Sequence, residues 1–218
     1  MDLLKTMLQR RSARSFLKKI VEKSVMESIL NYAANAPSAI NMQPWEVHIV
    51  SGEETPRLSR KLLKRFKEKQ IACGPGATQK IPDKFIDRAR LAAQGMTPLI
   101  EEMGTDFKTF VNTGSLKFYG APTVAFVFID DSFPPERLTD VGAFLGYFVL
   151  SAESHGLATC PIGLVKAYED EIKDALNVPD SKTLVISVAI GYPDVNAPIN
   201  HFRSERASLE EFVRWIGD

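Results

Sequence analysis

Leu3, Leu4, Met7 and Leu8 recur at helical spacing and predict a helix over residues 2–9, ending at the polar run Arg10 to Ser15. Ser24 followed by Glu27 has the form of a capping box. Val25, Met26, Ile29, Leu30 and Ala33 continue it as a helix over about 24–36, stopped by Pro37. Residues 45–50 then alternate as a half-buried strand does, closed by Ser51-Gly52. An amphipathic helix is predicted over 53–70, with Leu58, Leu62, Leu63 and Phe66 inward and a row of Arg and Lys outward. A Gly/Pro-bearing loop over 71–82 and a helical stretch over 84–94 follow; residues 95–118 show no clear period.

Two apolar, largely β-favouring runs, 123–129 and 183–190, fit central strands covered on both faces. Between them residues 139–155 predict a helix that is apolar nearly all round, and so buried on several sides. Gly142 and Gly146 lie at helical spacing within it, where each costs about 1 kcal/mol unless close packing compensates. A close helix crossing, or a second subunit laid over this helix, would supply that packing. The helix is left through a small-residue turn over 156–164. A short helix at 170–176 and a last one, capped by Ser208 and Glu211 and running through Phe212, Val213, Trp215 and Ile216, complete the layout. The expected architecture is one α+β domain over 1–218 with a helical insertion at 53–118.

Composition narrows the function. Lys+Arg and Asp+Glu both number 27, so the net charge is zero, and 44% of residues are hydrophobic. That balance disfavours nucleic acid and anionic membranes as main partners. The basic face of residues 57–69 carries no interleaved aromatics for stacking on bases and reads as a solvated face. Cys73 and Cys160 have no paired spacing, which argues against a disulfide framework or thiolate metal site and for a reducing cytoplasm. The N-terminus mixes charge among its apolar residues too early for a signal peptide. No stretch reaches the roughly 18 apolar residues of a membrane span. His48, His155 and His201 are isolated and read as structural; phosphate-loop, nucleophile-elbow and dinucleotide signatures are missing.

Three segments carry unusual chemistry. Arg10-Arg11-Ser12-Ala13-Arg14-Ser15 gathers three guanidiniums and two hydroxyls, and arginine's fork of donors suits phosphate and carbonyl-rich ligands. Asn35 to Trp45 links a helix to a strand through two prolines, with Ser38, Asn41 and Gln43 as neutral donors and acceptors. Gly156 to Leu164 includes Gly163, which would let a flat ligand approach the backbone.

The order and spacing of these segments, Arg-Arg-Ser-x-Arg near 10, Ala-Pro-Ser-Ala-x-Asn-x-Gln-Pro-Trp near 40, Gly-Leu-x-Thr-Cys-x-Ile-Gly near 160 and a late Gly-Tyr-Pro followed by basic residues, resemble the FMN-dependent nitroreductase family. The resemblance covers residues 1–50 and about 119–218. It implies a three-layer α+β sandwich, a mixed central sheet flanked by helices, in an intertwined homodimer with FMN at the subunit interface. By the same resemblance Arg10 and Arg206 would grip the FMN phosphate, with Arg11 and Arg203 beside them. Ser12 and Arg14 would reach the phosphate-ribityl side and the pyrimidine edge. Pro37, Ser38, Ala39 and Asn41, with Gln43, would come from the partner subunit, while Pro161, Ile162 and Gly163 would flank the flavin ring. This chain departs from the family by having Gly163 where a bulkier or acidic residue is common, and Ser204 at a commonly basic tail position.

The implied activity is electron transfer from NADH or NADPH, through flavin N5, to a nitroaromatic, quinone or similar electron-poor small molecule, in ping-pong fashion. No metal and no catalytic side chain are required. The alternatives are the same flavin fold with different redox chemistry, such as a dehalogenase or dehydrogenating oxidase, and a non-catalytic FMN storage or sensing protein. The 53–118 insertion would form the lid.

Overall fold

A computed structural model describes residues 2–74 and 79–217. Its sheet holds β1 (Trp45–Ser51), β2 (Thr123–Asp130), β3 (Ala158–Ile162) and β4 (Lys182–Gly191), in the order β1-β2-β4-β3. All three pairings are antiparallel. The mixed pairing expected from the sequence is confined to a parallel bridge between Ser12 and Thr159 at the β3 edge. A register shift between Val127 and Phe128 lets β2 follow β4 past one extra residue.

β2 is buried on both faces, and its alternation divides the core. Val124, Phe126 and Phe128 enter one cluster with Leu58 and Leu62 of α3 (Glu54–Lys69), Leu116 of α5 (Phe107–Leu116) and Ile172 of α7 (Glu169–Leu176). Ala125, Val127 and Ile129 enter the other with Ile29 of α2 (Lys23–Ala33) and Phe144 and Phe148 of α6 (Leu138–Ser154). The result is helices, sheet and helices in three layers. Each fully buried phenylalanine here contributes about 1.5–3 kcal/mol of apolar transfer.

Several elements depart from the sequence reading. α2 begins at Lys23 with Glu22 in the capping position, so Ser24 already lies inside the first turn and the Ser24–Glu27 box does not form; Glu27 stands 3.5 Å from Lys23. α4 runs over Asp83–Glu102, past the point where the period faded, and the aperiodic stretch also holds α5. Gly95 and Pro98 had blurred the pattern. A Cβ at Gly95 would stand 2.8 Å from the Phe202 ring, so this glycine admits the C-terminal tail against α4. The 156–164 turn contains β3; Pro161 is tolerated there because β3 is an edge strand. The last helix, α8 (Leu209–Phe212), has its capping box but ends after one turn, and Val213 is already extended. Pro75 and Gly76, in the 71–82 loop, lie outside the described residues.

The close crossing expected at Gly142 and Gly146 is not made within the chain: a Cβ at either would meet no atom within 4 Å. They lie near Tyr147, 46% exposed, on a side of α6 that one chain leaves uncovered. The stripe on α1 (Leu3–Gln9) is equally bare. Only Thr6 is buried there, and Leu8 is 87% exposed.

Candidate functional site

Met7, Leu8, Arg10, Arg11, Ser12 and Arg14 from the N-terminal segment meet Phe202, Arg203, Ser204 and Arg206 from the tail around a cavity of about 370 Å³. Ala92 and Met96 of α4 form its remaining wall. The chain's two ends are fastened here by buried Asn200, in the turn Pro198–His201. Arg14 N–H donates to its Oδ1 at 2.8 Å, and its carbonyl accepts from Arg11 Nε at 2.9 Å and Arg203 Nη1 at 3.2 Å. Arg206 donates to Ser204 Oγ at 2.6 Å.

Five of the seven arginines outside this cavity are neutralised, Arg60 and Arg214 being the exceptions among the described residues. Arg57, Arg65, Arg88, Arg90 and Arg137 each form an ion pair with a carboxylate. Among the described residues none of the five arginines of the cavity has a carboxylate within 4.0 Å. Burial lowers the Arg11 pKa, and neighbouring Arg203 adds to that. Glu153 of α6 lies near Arg11, Arg10 and Arg203, yet burial keeps its carboxyl above the ordinary range. Such unneutralised, forked donors are suited to a phosphate dianion.

The third segment adjoins the first. Ala13 N–H donates to the Thr159 carbonyl at 3.0 Å, beside the Ser12–Thr159 bridge. Cys160 is enclosed there, and burial pushes its thiol up to about 11 against the opposing charge of Arg14. Ile162 is buried in the core, so its backbone is what it can offer a ligand; Pro161 is half-buried and Gly163 exposed. An added Cβ at Gly163 would meet no atom within 4 Å. Tyr119 joins this neighbourhood, its phenol raised by burial and by Cys160, and hydrogen-bonded to Ser115 at 3.1 Å.

The second segment stands apart: none of Pro37, Ser38, Ala39, Asn41 and Gln43 lines the arginine cavity of its own chain. Ser38 Oγ accepts the Gln43 N–H at 3.1 Å, Gln43 Nε2 donates to Asn41 Oδ1 at 3.1 Å, and Ala39 N–H donates to Asp140 at 3.3 Å. Ile40, Asn41 and Gln43 all take positive φ, at 43°, 60° and 48°. Left-handed backbone at a β-branched residue such as Ile40 is costly and calls for a reason.

Elsewhere the histidines serve the scaffold: His48 meets Glu46, His155 the Ser151 carbonyl, and His201 the Val195 carbonyl. The basic face of α3 is likewise engaged, with Lys61 on Asp174 and both Arg65 and Lys69 on buried Glu171. No helix among the described residues is long and apolar enough to cross a membrane. Asn200, Glu153 and Phe202 escaped the sequence reading, since a lone Asn in a proline-bearing turn looks like a turn former.

Residues 7–192 match the model of the nitroreductase family. The nitroreductase NfnB of Mycolicibacterium smegmatis is 33% identical over 214 residues, covering 94% of this chain and 89% of that protein. A 4-nitrobenzoate reductase of Pseudomonas putida is 29% identical, covering 95% and 92%. A crystal structure of the FMN-dependent nitroreductase NfnB from Mycobacterium smegmatis in complex with NADPH superposes with a TM-score of 0.87 at 28% identity, over 99% of this chain and 100% of that one.

Proposed function

The chain belongs to the nitroreductase family, and from that premise we propose that it is an FMN-dependent oxidoreductase that takes electrons from NADH or NADPH and delivers them to a nitroaromatic, quinone or similar electron-poor small molecule. The observation that carries this reading is the cavity where five unneutralised arginines from both ends of the chain converge. Its donor set fits the FMN phosphate, which Arg10 and Arg206 hold, with Arg11 and Arg203 alongside and Ser12 at the phosphate-ribityl side. Arg14, whose backbone N–H is fixed on Asn200, would offer its guanidinium to the pyrimidine edge, where charge accumulates on reduction. Pro161, Ile162 and Gly163 lie along the ring. The chemistry supplied by FMN when bound is two-electron transfer at N5. The chain itself binds, orients and encloses, and no side chain acts as nucleophile or base.

The second half of the site comes from a second copy of the chain. Pro37, Ser38, Ala39, Asn41 and Gln43 reach across a homodimer interface that covers α1 and the open side of α6. In support, Leu8, Ile40, Tyr147 and Ile216 are exposed apolar side chains whose burial would stabilise association. Residues 53–118 act as the variable lid of a single domain, a role supported by Ala92 and Met96 lining the cavity. Two free cysteines suit a reducing cytoplasm.

The test is the visible spectrum of the purified protein after FMN addition and desalting, followed by anaerobic NADH or NADPH and then 4-nitrobenzoate. A retained flavin band that bleaches with the nicotinamide and returns with the nitroaromatic is the expected result. Retention without bleaching would favour storage, and a colourless protein would overturn the reading.

A further inference from the structure

Asn200 uses every polar atom it has. Its Oδ1 accepts the Arg14 N–H at 2.8 Å, its Nδ2 donates to the carbonyls of Ser15 at 2.8 Å and Asp194 at 2.9 Å, and its own N–H donates to Ala197 at 3.0 Å. Its carbonyl accepts from Arg11 Nε and Arg203 Nη1. One acceptor facing an N–H and two donors facing two carbonyls fix the orientation of the amide and exclude the flipped one. Three of these bonds span more than 180 residues of sequence. The side chain thereby ties the backbone that carries Arg10 and Arg14 to the turn Pro198–His201, and in doing so places the main-chain carbonyl on which Arg11 and the tail's Arg203 meet.

We propose that Asn200 is the positioning residue of the phosphate half of the cofactor site: its side chain fixes the turn so that its main-chain carbonyl holds two guanidiniums and the arginines converge before any ligand arrives. This rests on the assignment of the arginine cavity to the FMN phosphate. Arg11 and Arg203 repel each other, and the carbonyl they share draws them together without neutralising either. The bridging carbonyl therefore leaves both guanidinium charges in place, and the preorganisation is worth affinity only to a ligand that bears the phosphate. A purely architectural Asn200 would instead affect all flavins alike.

The discriminating experiment measures FMN and riboflavin affinities of the flavin-stripped full-length protein, as wild type, Asn200→Ala and Asn200→Asp. The wild type is expected to prefer FMN. Asn200→Ala should lose about tenfold or more of that preference, through FMN binding alone, while riboflavin affinity changes by less than about threefold. Asn200→Asp keeps the volume and the acceptor for Arg14 N–H but replaces the donors with charge. Its FMN preference should be lost at neutral pH and return in part on acidification, as the carboxyl regains a proton to donate. If either variant folds and both affinities fall together, or the preference survives, Asn200 is structural only and the proposal fails. A wild type that does not distinguish FMN from riboflavin removes the phosphate assignment itself, a separate failure.

Discussion

The arginine segment at 10–15 and the proline-bearing loop at 35–45 look alike in sequence, since both are short, polar and placed after a helix. They are completed by different means. Arg11, Ala13, Arg14 and Ser15 all bond to residues more than 140 positions away, in β3 and the tail, and Ala13 is buried. Apart from the Ala39 contact to Asp140 and the Asn35 amide that donates to the Asn31 and Tyr32 carbonyls at the end of α2, the loop's side-chain bonds stay within residues 38–43. Its backbone is left-handed at three non-glycine positions, and Ile40 at its tip is 91% exposed. A segment held by distant partners in its own chain is a finished binding surface. One held locally, in a costly conformation and with its apolar tip bare, is what the proposed shared site requires of the part that meets a second chain.

The largest expected effect follows from removing that second surface. Tyr147→Asp, which places a charge on the open side of α6, should weaken dimerisation by about 3 kcal/mol or more, read by sedimentation equilibrium, and flavin should be lost with it. A dimer unchanged by the substitution would place the interface elsewhere.

Next in size is Arg10→Ala, which on the proposed assignment deletes a phosphate donor from the arginine half. FMN should bind about 1.5–3 kcal/mol more weakly, while the melting temperature of the flavin-free protein barely moves. An equal loss in riboflavin affinity would contradict the assignment of Arg10 to the phosphate.

Glu153→Gln should act in the opposite direction. Burial holds the Glu153 carboxyl above its ordinary range despite Arg11, Arg10 and Arg203, so its charge both costs stability and opposes an incoming phosphate. FMN affinity should rise about two- to fivefold at neutral pH. The folded-state pKa is raised, so the native carboxyl loses stability as pH climbs from the ordinary carboxylate value through the raised one. The variant's stability gain should accordingly vanish in acid, grow over that window and then level off. A gain that grew toward acid would reverse the sign and refute the cause.

An effect of comparable free energy, confined to stability, is expected in the loop itself. Ile40→Asn exchanges a β-branched residue at φ 43° for one that tolerates the left-handed region, and should stabilise the flavin-free protein by about 0.5–1 kcal/mol in chemical denaturation. Destabilisation would mean that the Ile40 side chain is already packed in the free protein.

Legibility in the sequence followed the reach of the determining contacts. β2 and β4 could be read because burial on both faces imposes a continuous apolar run, and α3 because its stripe is regular. β3 was hidden by Pro161, acceptable only at a sheet edge, and the edge is a property of strand order rather than of local sequence. α4 faded at Gly95, whose purpose is the approach of Phe202 from over 100 residues away. In the site, Arg10, Arg14, Arg203 and Arg206 were visible as clustered charges, and the structure gathers them around one cavity. Asn200 was not, because its importance lies in three partners more than 180 residues away, Arg11, Arg14 and Ser15. The Ser24–Glu27 box failed for a local reason, since the helix starts one residue early, at Lys23, and leaves Ser24 within its first turn.

The division of one site between two chains is tested most directly by a hybrid dimer in which one chain carries Arg10→Ala and the other Asn41→Glu, isolated with two different affinity tags. If the arginine cavity and the 35–45 loop of each site come from different chains, one site of the hybrid collects both lesions and the other is intact. Bound FMN should then return to about half the wild-type content, although neither parent homodimer retains it. A hybrid as flavin-free as its parents would put both halves in the same chain and contradict the shared site.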